Sequence, residues 1–165
     1  MEKIMLDRAG FDLWADGYEA DVYRDASSEQ YPFAGYPAVL SSIYRSVRSL
    51  AGKRVLDVGV GTGVLAKRLY DEGYSLTGVD FSPRMLAISQ AKMPHALLLQ
   101  ADFSKGLPDE LRSAAFDAIV CTYALHHLTD EQKPSFLRLL EGLLAPNGQL
   151  LIGDVAFQTR EELNA

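Results

Sequence analysis

Three glycines stand at alternate positions, Gly59, Gly61 and Gly63, in the stretch VLDVGVGTGVL from Val55 to Leu65. An apolar run precedes them and a helical pattern follows. Glycine lets a backbone come close to a ligand, and a helix start offers unpaired N–H groups to it. A dinucleotide loop reads G-x-G-x-x-G, whereas the spacing here is G-x-G-x-G. No Gly-Lys-Ser/Thr ends the run, so it is not a Walker loop. Asp57 sits two residues before the first glycine. A carboxylate there repels a pyrophosphate and suits a ligand with positive charge. Asp80 lies 21 residues beyond Gly59, where an acid is placed to bond ribose hydroxyls. Asp102 can accept from an exocyclic amine, and Phe81, Met85 and Phe103 can sandwich a flat base. These residues describe a ligand with a ribose and no need of a phosphate.

The elements that position them alternate along the chain. Strands are expected at 53–58 (KRVLDV), 74–80 (YSLTGVD), 96–102 (ALLLQAD), 116–123 (FDAIVCTY) and 149–155 (QLLIGDV). Helices are expected at 62–73, 82–92 and 129–144, with Leu65, Ala66 and Leu69 on one face of the first. Ser82 can cap the second, with Pro83 in its first turn. Thr129 and Gln132 form a capping box for the third, which Pro134 kinks or restarts. APNGQ is a turn. The strands are apolar throughout rather than alternating, as in a sheet covered on both faces. Repeated strand–helix–strand units imply an α/β fold, a doubly wound parallel sheet.

Residues 1–52 read as an N-terminal helical cap and residues 53–165 as the α/β core. Seven of the 16 aromatic residues fall in the first 36 positions. Phe11, Trp14 and Tyr18 share a helix face. A further helix is expected over 37–50 with Leu40, Ile43, Tyr44 and Val47 inward.

The chain's 165 residues, 48% hydrophobic and 23% charged, suit one globular unit with a real core. A single cysteine, Cys121, excludes an internal disulfide and a cysteine-based metal site, and no metal is expected. Inside an apolar strand it reads as a buried inert thiol. No run approaches the length of a membrane span, and the N-terminus has acids where a signal peptide needs an apolar stretch. The expected location is the cytoplasm. A net charge of −6 argues against broad nucleic-acid binding.

The motifs VLDVGVGTG, VDFSPRML, QADF and YALHHL, in that order, resemble those of class I S-adenosylmethionine-dependent methyltransferases, most closely the bacterial small-molecule branch. The resemblance covers about 53 to 155. It implies a Rossmann-like fold of strand order 3-2-1-4-5, S-adenosyl-L-methionine as cofactor and S-adenosyl-L-homocysteine as product. It implies that Gly59 and Gly61 admit the methionine part, with Asp57 on its ammonium side. Asp80 takes the ribose hydroxyls and Asp102 the adenine amine, while Phe81 and Phe103 border the ring. Thr122 and Tyr123 line the opposite side. Trp14, Tyr18 and Tyr36 are candidates for a lid, since aromatic faces attract a sulfonium. For Trp14 packing is the preferred reading; for Tyr18 the two are even.

Each of these residues also has a structural reading. Asp57 can bond loop N–H groups, and Ser104 and Lys105 can satisfy Asp102 locally. Strand-end acids such as Asp80 have few structural reasons to exist, so the ligand reading is preferred there. Methyl transfer from a sulfonium needs a base only if the acceptor must lose a proton. His126 and His127 are the candidates, against a preferred reading in which they cap the loop or bond backbone. His95 lies in a turn and reads as solvated.

The family has two further strands, and this chain stops about ten residues past the fifth. The expectation is a truncated chain with an unpaired edge on strand five. The expected partner is a small-molecule acceptor, with a homodimer possible. A cofactor-binding domain without turnover is the main alternative. An RNA methyltransferase is a lesser one, given the acidic charge and the lack of an Asn-Pro-Pro-aromatic motif. A nicotinamide oxidoreductase is disfavoured by Asp57 and the glycine spacing.

Overall fold

The structure, a computed structural model, describes residues 35–155. The aromatic face of Phe11, Trp14 and Tyr18 lies outside the described residues. Helix α1 spans Tyr36–Arg48, α2 Val64–Asp71, α3 Pro83–Lys92 and α4 Gln132–Glu141. The strands are β1 Arg54–Val58, β2 Ser75–Asp80, β3 Leu97–Gln100, β4 Phe116–Thr122 and β5 Leu144–Gly153. They form one sheet in the order β3-β2-β1-β4-β5, with every pair parallel. The doubly wound sheet expected from the motif order is present.

Alternate residues of each strand serve opposite faces, as the pleat requires. Val55, Leu76, Ala118 and Val120 face the layer of α1, α2 and α3, with Leu40, Ile43, Val47, Leu69 and Met93. Leu56, Val58, Val79, Ile119 and Cys121 face the other layer, which includes Phe136 and Leu140 of α4. Burial on both faces is the reason the strands read as unbroken apolar runs. Cys121 is fully buried, and burial, then the charges of Asp57 and Asp154, push its thiol well above the usual range.

Local start chemistry acts as its residue types imply. The Ser82 hydroxyl accepts from Met85 N at 3.1 Å, with Pro83 first in α3. At α4 the Thr129 N–H donates to Gln132 Oε1 at 2.9 Å, and the Gln132 N–H donates to Thr129 Oγ1 at 3.3 Å. The capping box is therefore made, one turn ahead of the helix. Pro134 falls in the first turn of α4, where its missing N–H costs nothing.

Three expectations need correction. The helix expected over 129–144 ends at Glu141, because Leu143 leaves it for the core and its carbonyl accepts from Phe116 N at 2.8 Å. APNGQ is not a turn ahead of a strand at 149. It is a bulge inside β5, across which the partner of Phe116 is Leu144 but the partner of Ala118 is Gln149. Asn147 takes a φ of 64° there, a left-handed value asparagine tolerates. The third strand is also shorter than expected and lies at the sheet's edge, with Leu97 49% exposed.

Candidate active site

The carboxyl ends of β1 and β4 flank the point where chain connections diverge in opposite directions, the usual ligand site of an open α/β sheet. A pocket opens there, lined among others by Asp57, Gly59, Gly61, Thr122, Tyr36 and Tyr123. The glycine loop forms it because Gly59, Gly61 and Gly63 all take left-handed φ values, 77°, 55° and 80°. The reasons for glycine differ along the loop. A Cβ on Gly59 would lie 2.6 Å from Ala124 Cβ, and one on Gly63 would lie 2.5 Å from Ser89 Oγ. At Gly61 nothing lies within 4 Å, so that glycine leaves space beside the pocket.

Asp57 is 2% exposed, and its Oδ1 has no hydrogen-bond partner. Burial, and secondarily the nearby charge of Asp80, push its carboxyl up to about 7. A buried carboxylate oxygen left unpaired is costly, and a cationic donor arriving in the pocket would relieve it. Asp80, also buried, has a structural job that the sequence reading undervalued. Its Oδ2 accepts from Gly61 N at 2.8 Å and its Oδ1 from Ser82 N at 3.0 Å. One carboxylate thus ties the glycine loop to the turn that starts α3. Gly59 N and Val60 N also donate to Val79 O, at 2.8 and 3.1 Å.

Asp102 lies past the end of β3 and is half exposed. Ser104 donates to its Oδ1 through Oγ at 2.5 Å and through N at 3.1 Å, and Lys105 Nζ stands 3.4 Å from Oδ2. The Ser104 hydroxyl, foremost, holds its carboxyl below the usual range. The local partners named from the sequence are both in place. Phe103 turns into the core, 5.4 Å from the ring of Phe136. Met85 is 1% exposed and belongs to the packed interior. Phe81 remains half-buried, 6.4 Å from the His127 ring. Tyr18 lies outside the described residues. Tyr36 is buried against Tyr123, their rings 5.0 Å apart.

After β4 the chain turns sharply at Tyr123, whose φ is 53°, into a short 3-10 turn over Leu125–His127. His126 Nδ1 lies 2.7 Å from Asp154 Oδ1, and the His126 N–H donates to Asp154 Oδ2 at 2.9 Å. His127 packs 4.2 Å from the His126 ring, and burial, then the charge of His126, push it down to about 4. Asp154 is a functional candidate that the sequence reading missed. It lies 28 residues from its partner, and only the pairing of β4 with β5 brings the two together.

A parallel sheet in the order 3-2-1-4-5, with a glycine loop after β1 and an acid ending β2, defines the class I S-adenosylmethionine-dependent methyltransferase architecture. Comparison with known proteins agrees. Residues 55–148 match the family model of the methyltransferase domain. An uncharacterized methyltransferase of Anoxybacillus flavithermus is 34% identical over 94% of this chain and 70% of its own length. One from Geobacillus kaustophilus is 37% identical over 92% of this chain and 67% of its own length. Among solved structures, DhpI in complex with SAH superposes with a TM-score of 0.72 at 22% identity, over 91% of this chain and 68% of that one. The sugar N-methyltransferase KedS8 from Streptoalloteichus superposes with a TM-score of 0.66 at 26% identity, over 86% and 54%. The chain belongs to the methyltransferase domain family.

Proposed function

We propose that the chain binds S-adenosyl-L-methionine at the carboxyl edge of its sheet and transfers the methyl group to a small-molecule acceptor. The observation that carries this reading is the buried Asp57 Oδ1, without a partner and beside the glycine loop. It suits an ammonium group, and nothing in the loop replaces that donor. The bound cofactor supplies an electrophilic methyl on a sulfonium, whose leaving group departs as a neutral thioether.

The chain's own residues bind and orient. Asp57 faces the ammonium, and the open space at Gly61 admits the amino-acid end. Asp80 holds the loop through Gly61 N, and its carboxylate accepts from the ribose hydroxyls, since each carboxylate oxygen accepts more than one bond. Phe81 offers a half-exposed ring to the adenine. Met85 and Phe103 back that wall from the interior, and Asp102 stands at its rim. Thr122 and Tyr123 border the opposite side, and Tyr36 shields it. Alignment of donor and acceptor is the main catalytic contribution, because the electrophile is already activated. The sugar N-methyltransferase KedS8, and CalS10, named an amino pentose methyltransferase, support a small-molecule acceptor.

The test is thermal unfolding with S-adenosyl-L-homocysteine. The ligand raises Tm in the wild type and raises it less in Asp57→Ala. No shift at millimolar ligand overturns the reading. Binding without methyl uptake by any fraction of a metabolite extract would favour a cofactor-binding domain that lacks turnover.

A further inference from the structure

The ends of β4 and β5 lie side by side, with Thr122 paired to Gly153. Beyond that pair the two chains part. Tyr123 N still donates to Gly153 O at 2.7 Å, and the left-handed Tyr123 then throws the chain into the 3-10 turn. A strained non-glycine backbone persists only where its surroundings hold it, and such positions concentrate at working sites. The result is that His126 stands over Asp154 rather than continuing the strand. Thr122 and Tyr123, which line the pocket, lead directly into this turn.

Asp154 is largely buried, with 13% of its side chain exposed, while 38% of the His126 side chain is exposed. Both carboxylate oxygens are used: Oδ2 receives the His126 backbone N–H at 2.9 Å, while Oδ1 faces His126 Nδ1 at 2.7 Å and receives the Val155 N–H at 2.8 Å. Burial raises the Asp154 carboxyl, but the His126 ring hydrogen bond and charge, with the N–H groups of Val155 and His126, bring it below the usual range. An ionised carboxylate only accepts. Nδ1 must therefore carry the proton, which leaves Nε2 as the ring nitrogen that can accept one. Among the described residues no third His, Cys, Asp or Glu joins the pair to make a metal-ligating group. The neighbouring His127 packs against the His126 and Phe81 rings.

We propose that Asp154 is a positioning residue that locks His126 in the Nδ1–H form, so that Nε2 of His126 takes the proton of the methyl acceptor. The inference rests on the methyl-transfer reading above and deepens it. The acceptor is then a nucleophile that must shed a proton: a hydroxyl, a thiol or a protonated amine. Its bonding pair stays on the acceptor atom and forms the new bond to the methyl carbon, while its proton moves to Nε2. The imidazolium formed is steadied by Asp154 and returns the proton to water, so one proton is released for each methyl transferred. A base so oriented by a carboxylate is the arrangement of hydrolase triads, where loss of the carboxylate's charge leaves the wrong tautomer.

Asp154→Ala makes the test sharp. It removes the acceptor that faces Nδ1. The proton of the neutral ring is then no longer held on Nδ1 and moves to Nε2. Imidazole nitrogen NMR on the 15N-labelled full chain reads this without any acceptor. Expected in the neutral ring is an unprotonated Nε2 on His126 in the wild type and a protonated Nε2 in Asp154→Ala, with Asp154→Glu keeping the wild-type form. Methyl uptake by a small-metabolite extract, with labelled S-adenosyl-L-methionine as donor, falls roughly 100-fold or more in Asp154→Ala and His126→Gln, the scale of a lost general base. S-adenosyl-L-homocysteine still raises Tm in both variants. A neutral wild-type ring with its proton on Nε2, a tautomer unchanged by Asp154→Ala, or uptake within about threefold of wild type overturns the inference. Loss of the S-adenosyl-L-homocysteine response in the wild type would instead sink the underlying methyl-transfer reading.

Discussion

Asp57 and Asp80 are both buried acids at strand ends, and they differ in what surrounds them. The folded carboxyl of Asp57 titrates at about 7 against 3.8 in an open chain. Below pH 4 it is protonated in both states and costs nothing. Between about pH 4 and 7 the unfolded chain ionises first, so stability falls; above that the penalty is constant. Three pH units amount to on the order of 4 kcal/mol as an upper bound. Asp57→Asn therefore matches the wild type near pH 4, is the more stable of the two at pH 8 without ligand, and shows a smaller Tm response to S-adenosyl-L-homocysteine. Urea melts at the two pH values check the first part, and thermal melts the second.

Asp80→Ala has the opposite stability sign. It strands Gly61 N and Ser82 N and costs roughly 2–4 kcal/mol. Asp80→Asn keeps one acceptor and falls between. The glycine loop and both acids were legible in the sequence, but which oxygen is satisfied was not. Gly61 N reaches Asp80 across 19 residues of chain, through a crossover helix.

At the scale of elements, the loop between β1 and α2 separates folding from binding. Gly61→Ala keeps a clear Cβ direction and pays only the left-handed φ, about 1 kcal/mol. It is expected to fold, and to bind S-adenosyl-L-homocysteine at least tenfold more weakly, about 1.4 kcal/mol. Gly59→Ala and Gly63→Ala add collisions with Ala124 Cβ and Ser89 Oγ to the same backbone cost, and are expected to lower Tm sharply. Calorimetric titration beside thermal melts distinguishes the two outcomes. The start of α3 was readable from Ser82 and Pro83 alone, because a cap is satisfied within three residues. The end of α4 was not. Helical periodicity continues through Leu143 and Leu144, yet the edge of β4 captures that segment as strand.

For the whole molecule, the two layers of core assign aromatic residues that the motifs group together. Phe103 packs against Phe136 and is 6% exposed, whereas Phe81 stays half-buried at the sheet's carboxyl edge. Phe103→Ala is expected to cost roughly 3–5 kcal/mol of stability. Phe81→Ala costs under about 1.5 kcal/mol, because less of its surface is out of water, and it weakens S-adenosyl-L-homocysteine binding. Denaturant midpoints against dissociation constants for the two variants check the assignment; equal effects on both quantities would remove it.

By itself the sequence determined the class of fold and the place of the loop. Apolar runs, helix starts and glycine spacing act through neighbours a few residues away, and these are visible in a string. The tertiary structure alone decided which acid is left unsatisfied at Asp57, which aromatic ring sinks into the core at Phe103, and which carboxylate meets His126. Each of those depends on burial and on partners that the parallel crossovers bring from distant parts of the chain, where no local pattern records them.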